Sequence, residues 1–255
     1  MAFALWGAAP FAETPAPATA PAGSASAQQA FDLIWARFRS HRLPPPFVSY
    51  TLIRTNFTLT GAVEAGNSYT KHVWVRTSDG AALSRMVLDG ARRGRLSFDR
   101  PAFNEARDPG PPTADLLAGA AGSSASADEP AYRADSIAVE GDLVHVRLTG
   151  IRDPDHNRLR EVFADKATYE LRKVVAVDKL FVYRGPTYPV TLTITYGVVQ
   201  SIPVVTEIQG LVGGGYNEDG KEVDFAFSDI AFPAALPDWY FDPRNYRGHE
   251  ADAPS

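Results

Sequence analysis

The 255-residue chain contains no cysteine. That absence excludes a disulfide framework, a thiol nucleophile, a zinc-thiolate cluster and an N-terminal cysteine for lipid attachment. Positive charge is also short. The 25 Lys and Arg stand against 30 Asp and Glu, a formal net charge of −5, so no basic surplus exists to neutralise a phosphate backbone and nucleic acid is not an expected partner. No apolar run approaches the ~20 residues that a bilayer-crossing helix needs, which excludes an integral membrane protein of the helical kind. Helices between strands are missing as well, and with them a parallel α/β fold.

The first 30 residues hold 12 Ala, 4 Pro and one charge, Glu13. Residues 1–28 are expected to be a disordered leader or the remnant of an export signal. Residues 1–9 are apolar, Ala9-Pro-Phe-Ala12 has small residues at signal-peptidase spacing, and 14–28 carry too little apolar surface to offset their ordering entropy. A plain Ala/Pro leader with no targeting meaning fits the same residues. Residues 29–243 then form a single domain with a mobile Pro-, Ala- and Ser-rich insertion at 100–130, and 244–255 form a flexible tail.

One amphipathic helix opens the domain at 27–41, with Ala30, Phe31, Ile34, Trp35 and Phe38 on one stripe and prolines at 44–46 to end it. After this the apolar period becomes two. Val144, Val146 and Leu148 alternate with polar residues, and Val190 to Tyr196 alternates apolar residues with Thr191, Thr193 and Thr195. Nine further strands are predicted at 47–59, 68–76, 83–88, 94–98, 136–140, 158–164, 169–183, 204–209 and 221–232, separated by turn sequences such as Ser78-Asp-Gly80 and Asn217-Glu-Asp-Gly220. The expected fold is therefore mainly β, a curved antiparallel sheet or half-open barrel of about eleven strands with one or two helices over its mouth. So many strands enclose more volume than side chains fill in an eight-stranded barrel, which calls for a cavity or a helical plug.

Catalytic signals are weak. The histidines at 41, 72, 145, 156 and 249 have no metal-ligand spacing, and His72 and His145 are expected on the solvent face of strands. The loop Arg152-Asp-Pro-Asp-His-Asn157 begins like a calcium loop but lacks its glycine and closing glutamate. Gly213-Gly-Gly215 has neither the lysine nor the strand-helix context of a phosphate loop. No enzyme, metal or cofactor is expected.

Two segments carry a family resemblance. Residues 158–173, a strand, an Asp165-x-x-Thr168 turn and a return through Leu171-Arg172, resemble the paired strands of bacterial envelope lipoprotein-sorting proteins. Residues 227–241, a strand followed by Leu236-Pro-Asp and aromatics, are similar to the ending of that family. The resemblance implies a half-open barrel shared by a lipoprotein carrier, an outer-membrane lipoprotein receptor and an envelope-stress regulator. It implies a periplasmic or secreted protein that binds a lipid, a lipoprotein acyl chain or another hydrophobic ligand, with a role in outer-membrane lipoprotein sorting. The alternative is an envelope sensor or scaffold whose barrel is filled by its own side chains and whose partner is a protein. For a ligand cavity, the expected lining is Phe31, Ile34, Trp35 and Phe38 of the helix with Phe57, Trp74 and Leu192 of the strands.

Overall fold

The computed structural model describes residues 26–40, 45–58, 60–66, 68–88, 92–99, 108–113, 131–152, 157–181, 187–212, 221–242, 244 and 249. Residues 1–25 of the expected leader, most of the 100–130 insertion, the histidine of the calcium-like loop, the triple glycine and nearly all of the tail lie outside these residues, whereas 26–28, also expected in the leader, cap and begin a helix.

Helix α1 spans Ala27–Ser40. Its start is fixed by a reciprocal cap: the Gln29 amide donates to Ser26 Oγ (3.2 Å) while the Ser26 amide donates to Gln29 Oε1 (2.9 Å), so two backbone donors that the first turn leaves open are satisfied. Arg37 and Arg39 in the last turn suit the negative end of the helix dipole.

Eleven strands follow: β1 (Phe47–Asn56), β2 (Tyr69–Arg76), β3 (Ala82–Leu88), β4 (Arg92–Asp99), β5 (Tyr132–Glu140), β6 (Leu143–Gly150), β7 (Leu159–Asp165), β8 (Leu171–Phe181), β9 (Thr187–Val199), β10 (Ile202–Val212) and β11 (Lys221–Ala231). They form one antiparallel sheet in the order β4-β3-β2-β1-β11-β10-β9-β8-β7-β6-β5. The chain meanders from β1 out to the edge strand β4, crosses to the opposite edge at β5, and meanders back until β11 pairs with β1. Among the described residues β4 and β5 remain as separate edges, so the sheet is open, as a half-open barrel requires.

Directly opposite residues of paired strands share a face, which makes the inner surface traceable. Arg54 of β1 lies opposite Phe225 of β11, Phe225 opposite Ile208 of β10, Ile208 opposite Ile194 of β9, and Ile194 opposite Val174 of β8. Phe225, Ile208, Ile194 and Val174 join Ala30, Phe31, Ile34 and Phe38 of α1 in a single hydrophobic cluster. Helix α1 packs on β5, β6 and β8, where Val144, Val146 and Leu148 are all buried as their alternation predicts.

The outer face is covered in one place by the C-terminal segment. A 3-10 turn at Asp238–Phe241 buries Tyr240 against Leu83, with Trp74, Leu236, Trp239 and Phe241 around it. Phe241 stacks on Phe47 at 5.9 Å under the Arg76 guanidinium.

His145 departs from expectation. It lies on the outer face of β6 but is only 7% exposed, because its ring stacks on Phe163 at 4.1 Å and both nitrogens meet carboxylates, Glu140 at 2.8 Å and Glu161 at 3.0 Å. Lys173 covers the other side of Phe163 at 3.8 Å. Cross-strand stacking, which alternation along one strand does not reveal, buries the residue on the water side of the sheet. His72 is half-buried, with Nδ1 2.8 Å from Thr51 Oγ1.

Candidate functional site

Among the described residues the inner face has two covers. The first is α1, whose aromatic stripe is continuous: Phe31 stacks on Trp35 at 6.0 Å, Trp35 on Phe38 at 6.0 Å, Phe31 meets Tyr132 of β5 edge-on at 6.1 Å, and Phe38 meets Tyr196 of β9 at 5.9 Å. Its polar ties are few. The Ala134 amide donates to Gln28 Oε1 (3.1 Å), and Arg37 pairs with Glu170 at 3.3 Å on an exposed flank.

The second cover is residues 108–113, within the crossover between β4 and β5. Pro112 is fully buried, and its carbonyl accepts from the Val205 amide (2.8 Å) at the point where β10 slips register against β9. Asp108 reaches the wall at β1 and β2: its carboxylate accepts from Lys71 Nζ (2.5 Å), Tyr69 Oη (2.5 Å) and Arg54 (3.3 Å). The insertion was expected to be mobile; these six residues of it are pinned to the sheet at both ends.

Register places the donors inside. Leu52 lies opposite Lys71 and Arg54 opposite Tyr69, and Leu52 is 1% exposed within the core. The Arg54 guanidinium lies over the Phe225 ring at 5.3 Å and donates through Nε to Asn56 Oδ1 at 2.9 Å. Burial alone would raise the Asp108 carboxyl, but the bonds from Lys71 and Tyr69, the Lys71 charge and the Arg54 bond together hold it below the usual carboxylate range. Burial and the adjacent Asp108 carboxylate push the Tyr69 phenol up to about 12.

On the inner face Leu192 of β9 lies opposite Ala176 on one side and Gly210 on the other. Leu192 is half-buried although Val190 and Ile194 beside it are buried. A Cβ at Gly210 would stand 3.3 Å from the Val223 carbonyl and 3.7 Å from Leu192 Cδ2. The space a side chain at Gly210 would need is thus already taken by Val223 and Leu192, and the half-exposed Leu192 is the inner-face aliphatic residue of β9 that its neighbours leave partly open.

Of the residues expected to line a cavity, Phe31, Ile34 and Phe38 are buried between helix and sheet, Trp35 is half-buried between the two phenylalanines with Arg39 at 5.0 Å, and Leu192 faces inward. Phe57 sits just beyond β1, in an isolated bridge to Val63. Trp74 belongs with Leu83 and Tyr240 on the outer face, because Val73 and Val75 take the inward positions of β2. Sequence reasoning missed Arg54, Tyr69, Lys71 and Asp108. The signal was present in the inward series Tyr69, Lys71, Val73, Val75, where a lysine and a tyrosine continue an apolar face.

One outer-face cluster invites a catalytic reading and fails it. Thr51 Oγ1 donates to Asp229 Oδ2 at 2.8 Å and lies 2.8 Å from His72 Nδ1. With the hydroxyl proton directed to Asp229, His72 is not placed to take it, so the three side chains do not form the hydroxyl-to-imidazole relay of a triad. Among the described residues no group of His, Asp or Glu has the spacing of a metal site, and no helix is long and apolar enough to cross a membrane.

No protein-family model and no curated protein matches the chain. Among solved structures, the chain is similar to a LolA superfamily protein from Nitrosomonas europaea, with 14% identity over 87% of this chain and 99% of that one and a TM-score of 0.43. It is also similar to a DUF1329 family protein from Desulfovibrio piger, with 10% identity, the same 87% and 99% coverage and a TM-score of 0.42. A third is the Pseudomonas aeruginosa MucA/MucB complex, with 13% identity over 81% of this chain and 95% of that one and a TM-score of 0.22.

Proposed function

We propose that this chain is a non-catalytic binding protein of the bacterial envelope, periplasmic or secreted, that holds a lipid, the acyl chain of a lipoprotein or a comparable hydrophobic ligand against the inner face of its sheet. The observation that carries the reading is the apolar inner face on which Leu192 stays half-exposed between buried Val190 and Ile194, in a sheet whose covers are not strands. Such a surface suits alkyl chains, since each methylene taken out of water contributes roughly 0.8 kcal/mol and no polar partner is needed along the chain. The family resemblance of residues 158–173 and 227–241 supports the same placement in the envelope, and outer-membrane lipoprotein sorting is the role it favours.

N-phenyl-1-naphthylamine, a neutral dye that brightens in apolar surroundings, tests the reading. The purified protein should brighten the dye saturably. Leu192→Asp, which puts a charge on the apolar inner face, should weaken that binding, and Trp74→Ala on the outer face should leave it unchanged. Dye emission that stays at its aqueous level with the wild-type protein would refute the proposal.

A further inference from the structure

The wall donors Arg54, Lys71 and Tyr69 converge on a carboxylate that the sheet does not supply. It comes from Asp108 in the crossover, and all three ion-pair side chains are largely enclosed, with Arg54 15%, Lys71 12% and Asp108 16% exposed. Planar guanidinium, ammonium and phenol donors arranged in this way are complementary to a carboxylate or phosphate oxygen whatever chain carries it. What lies beside them is apolar. From Arg54 the inner face runs through Phe225 and Ile208 to Ile194, with the half-exposed Leu192 two residues away on the same face of β9. Three inter-strand spacings separate Arg54 from β9, about 14 Å, a distance that a dodecyl chain spans.

We propose that Arg54, Lys71 and Tyr69 form the head-group subsite for an anionic amphiphile, a carboxylate or phosphate ester bearing an alkyl chain, and that its anion takes the position Asp108 occupies. The inference rests on the hydrophobic-ligand reading and names the ligand class for it. Asp108 is then an internal competitor: while its carboxylate is on the wall the second cover is held down, and a ligand anion releases it by exchanging one carboxylate or phosphate for another with no change in bond count. An exchange of like for like keeps the buried cations paired throughout, which matters because an enclosed cation left without a partner is costly.

Displacement of N-phenyl-1-naphthylamine by three dodecyl amphiphiles tests this: dodecanoate, dodecyl phosphate and neutral monododecanoyl glycerol. At least one anion should displace the dye at about tenfold lower concentration than the neutral lipid, and which anion is stronger distinguishes a carboxylate from a phosphate head group. Arg54→Gln and Lys71→Gln should each bring the anions to within about twofold of the neutral lipid while dye binding persists. Lys71→Arg should retain the preference. Asp108→Asn, which weakens the competitor, should strengthen anion binding several-fold and leave the neutral lipid unaffected. Equal displacement by all three lipids in the wild type, or a preference that survives both glutamine substitutions, overturns the proposal while the hydrophobic site stands. Failure of the wild type to bind the dye overturns both readings together.

Discussion

The two covers of the inner face are held by different forces. Helix α1 rests on Ala30, Phe31, Ile34 and Phe38, buried against strands whose inner positions are aliphatic or aromatic. Residues 108–113 rest on one buried proline and on a carboxylate set among two cations and a phenol. Burial is nondirectional and offers no charge for counterions to screen or protons to titrate, so the helix is held as part of the core. A charge-assisted contact depends on protonation and can be replaced by any competing anion, so the crossover segment is the part of the interior that solution conditions and ligands can act on. One sheet thus carries a cover selected for permanence and another selected for exchange.

The sharpest way to break this contrast is at Ile34, which is 1% exposed. Ile34→Ala should destabilise the protein by about 2–5 kcal/mol, with the same loss in low and high salt when read by urea unfolding. Asp108→Asn should cost less, about 1–3 kcal/mol, since it removes the charge and keeps the shape, and its cost should shrink in high salt. A salt-independent Asp108→Asn, or a salt-dependent Ile34→Ala, would erase the distinction between the covers.

The pH response should fall on the crossover side. Asp108 has a lowered pKa in the folded protein, so the stability it lends is complete above the ordinary carboxylate pKa of about 4 and is lost as pH falls through its own lower value. The difference between wild type and Asp108→Asn should therefore close at strongly acidic pH. Tyr69 has the opposite sign. Its pKa is raised to about 12, so its contribution is complete below pH ~10 and disappears as pH rises towards 12. Tyr69→Phe should flatten alkaline unfolding over that interval. The smallest effect is expected at Arg37→Ala, which removes the exposed Arg37–Glu170 pair and should change stability by less than about 1 kcal/mol.

Much of the sheet is legible in the sequence because it follows from local alternation. Each of the eleven predicted strands corresponds to one in the structure, and the helix ends one residue from its predicted limit. The Asp165-x-x-Thr168 turn closes as its residues suggest, with Asp165 Oδ1 accepting from the Ala167 amide and from the amide and hydroxyl of Thr168. What alternation cannot fix is which of two apolar faces points inward. Trp74 illustrates this: β2 is apolar on both sides at that point because the turn at Asp238–Phe241 covers its outer side. The ionic cluster was harder still to read. It joins β1 and β2 to a residue 37 positions beyond Lys71, in a segment whose Pro-rich composition matches an ordinary loop, and only the register between strands shows that its donors face the core.

The pairing of β1 with β11 has a consequence for how the molecule is made. Thr51 lies opposite Ser228, so the central seam of the sheet joins residues from nearly opposite ends of the domain, and every strand from β5 to β10 must be produced before the seam can close. The other strand pairs join neighbours in sequence, so this one distant pairing carries the largest loop-closure entropy, which is lost before the contacts that reward it form. Until the seam closes, β1 is paired with β2 on one side only, and its other edge waits for β11. The nascent chain is therefore a natural client for a holding chaperone until its last strand emerges.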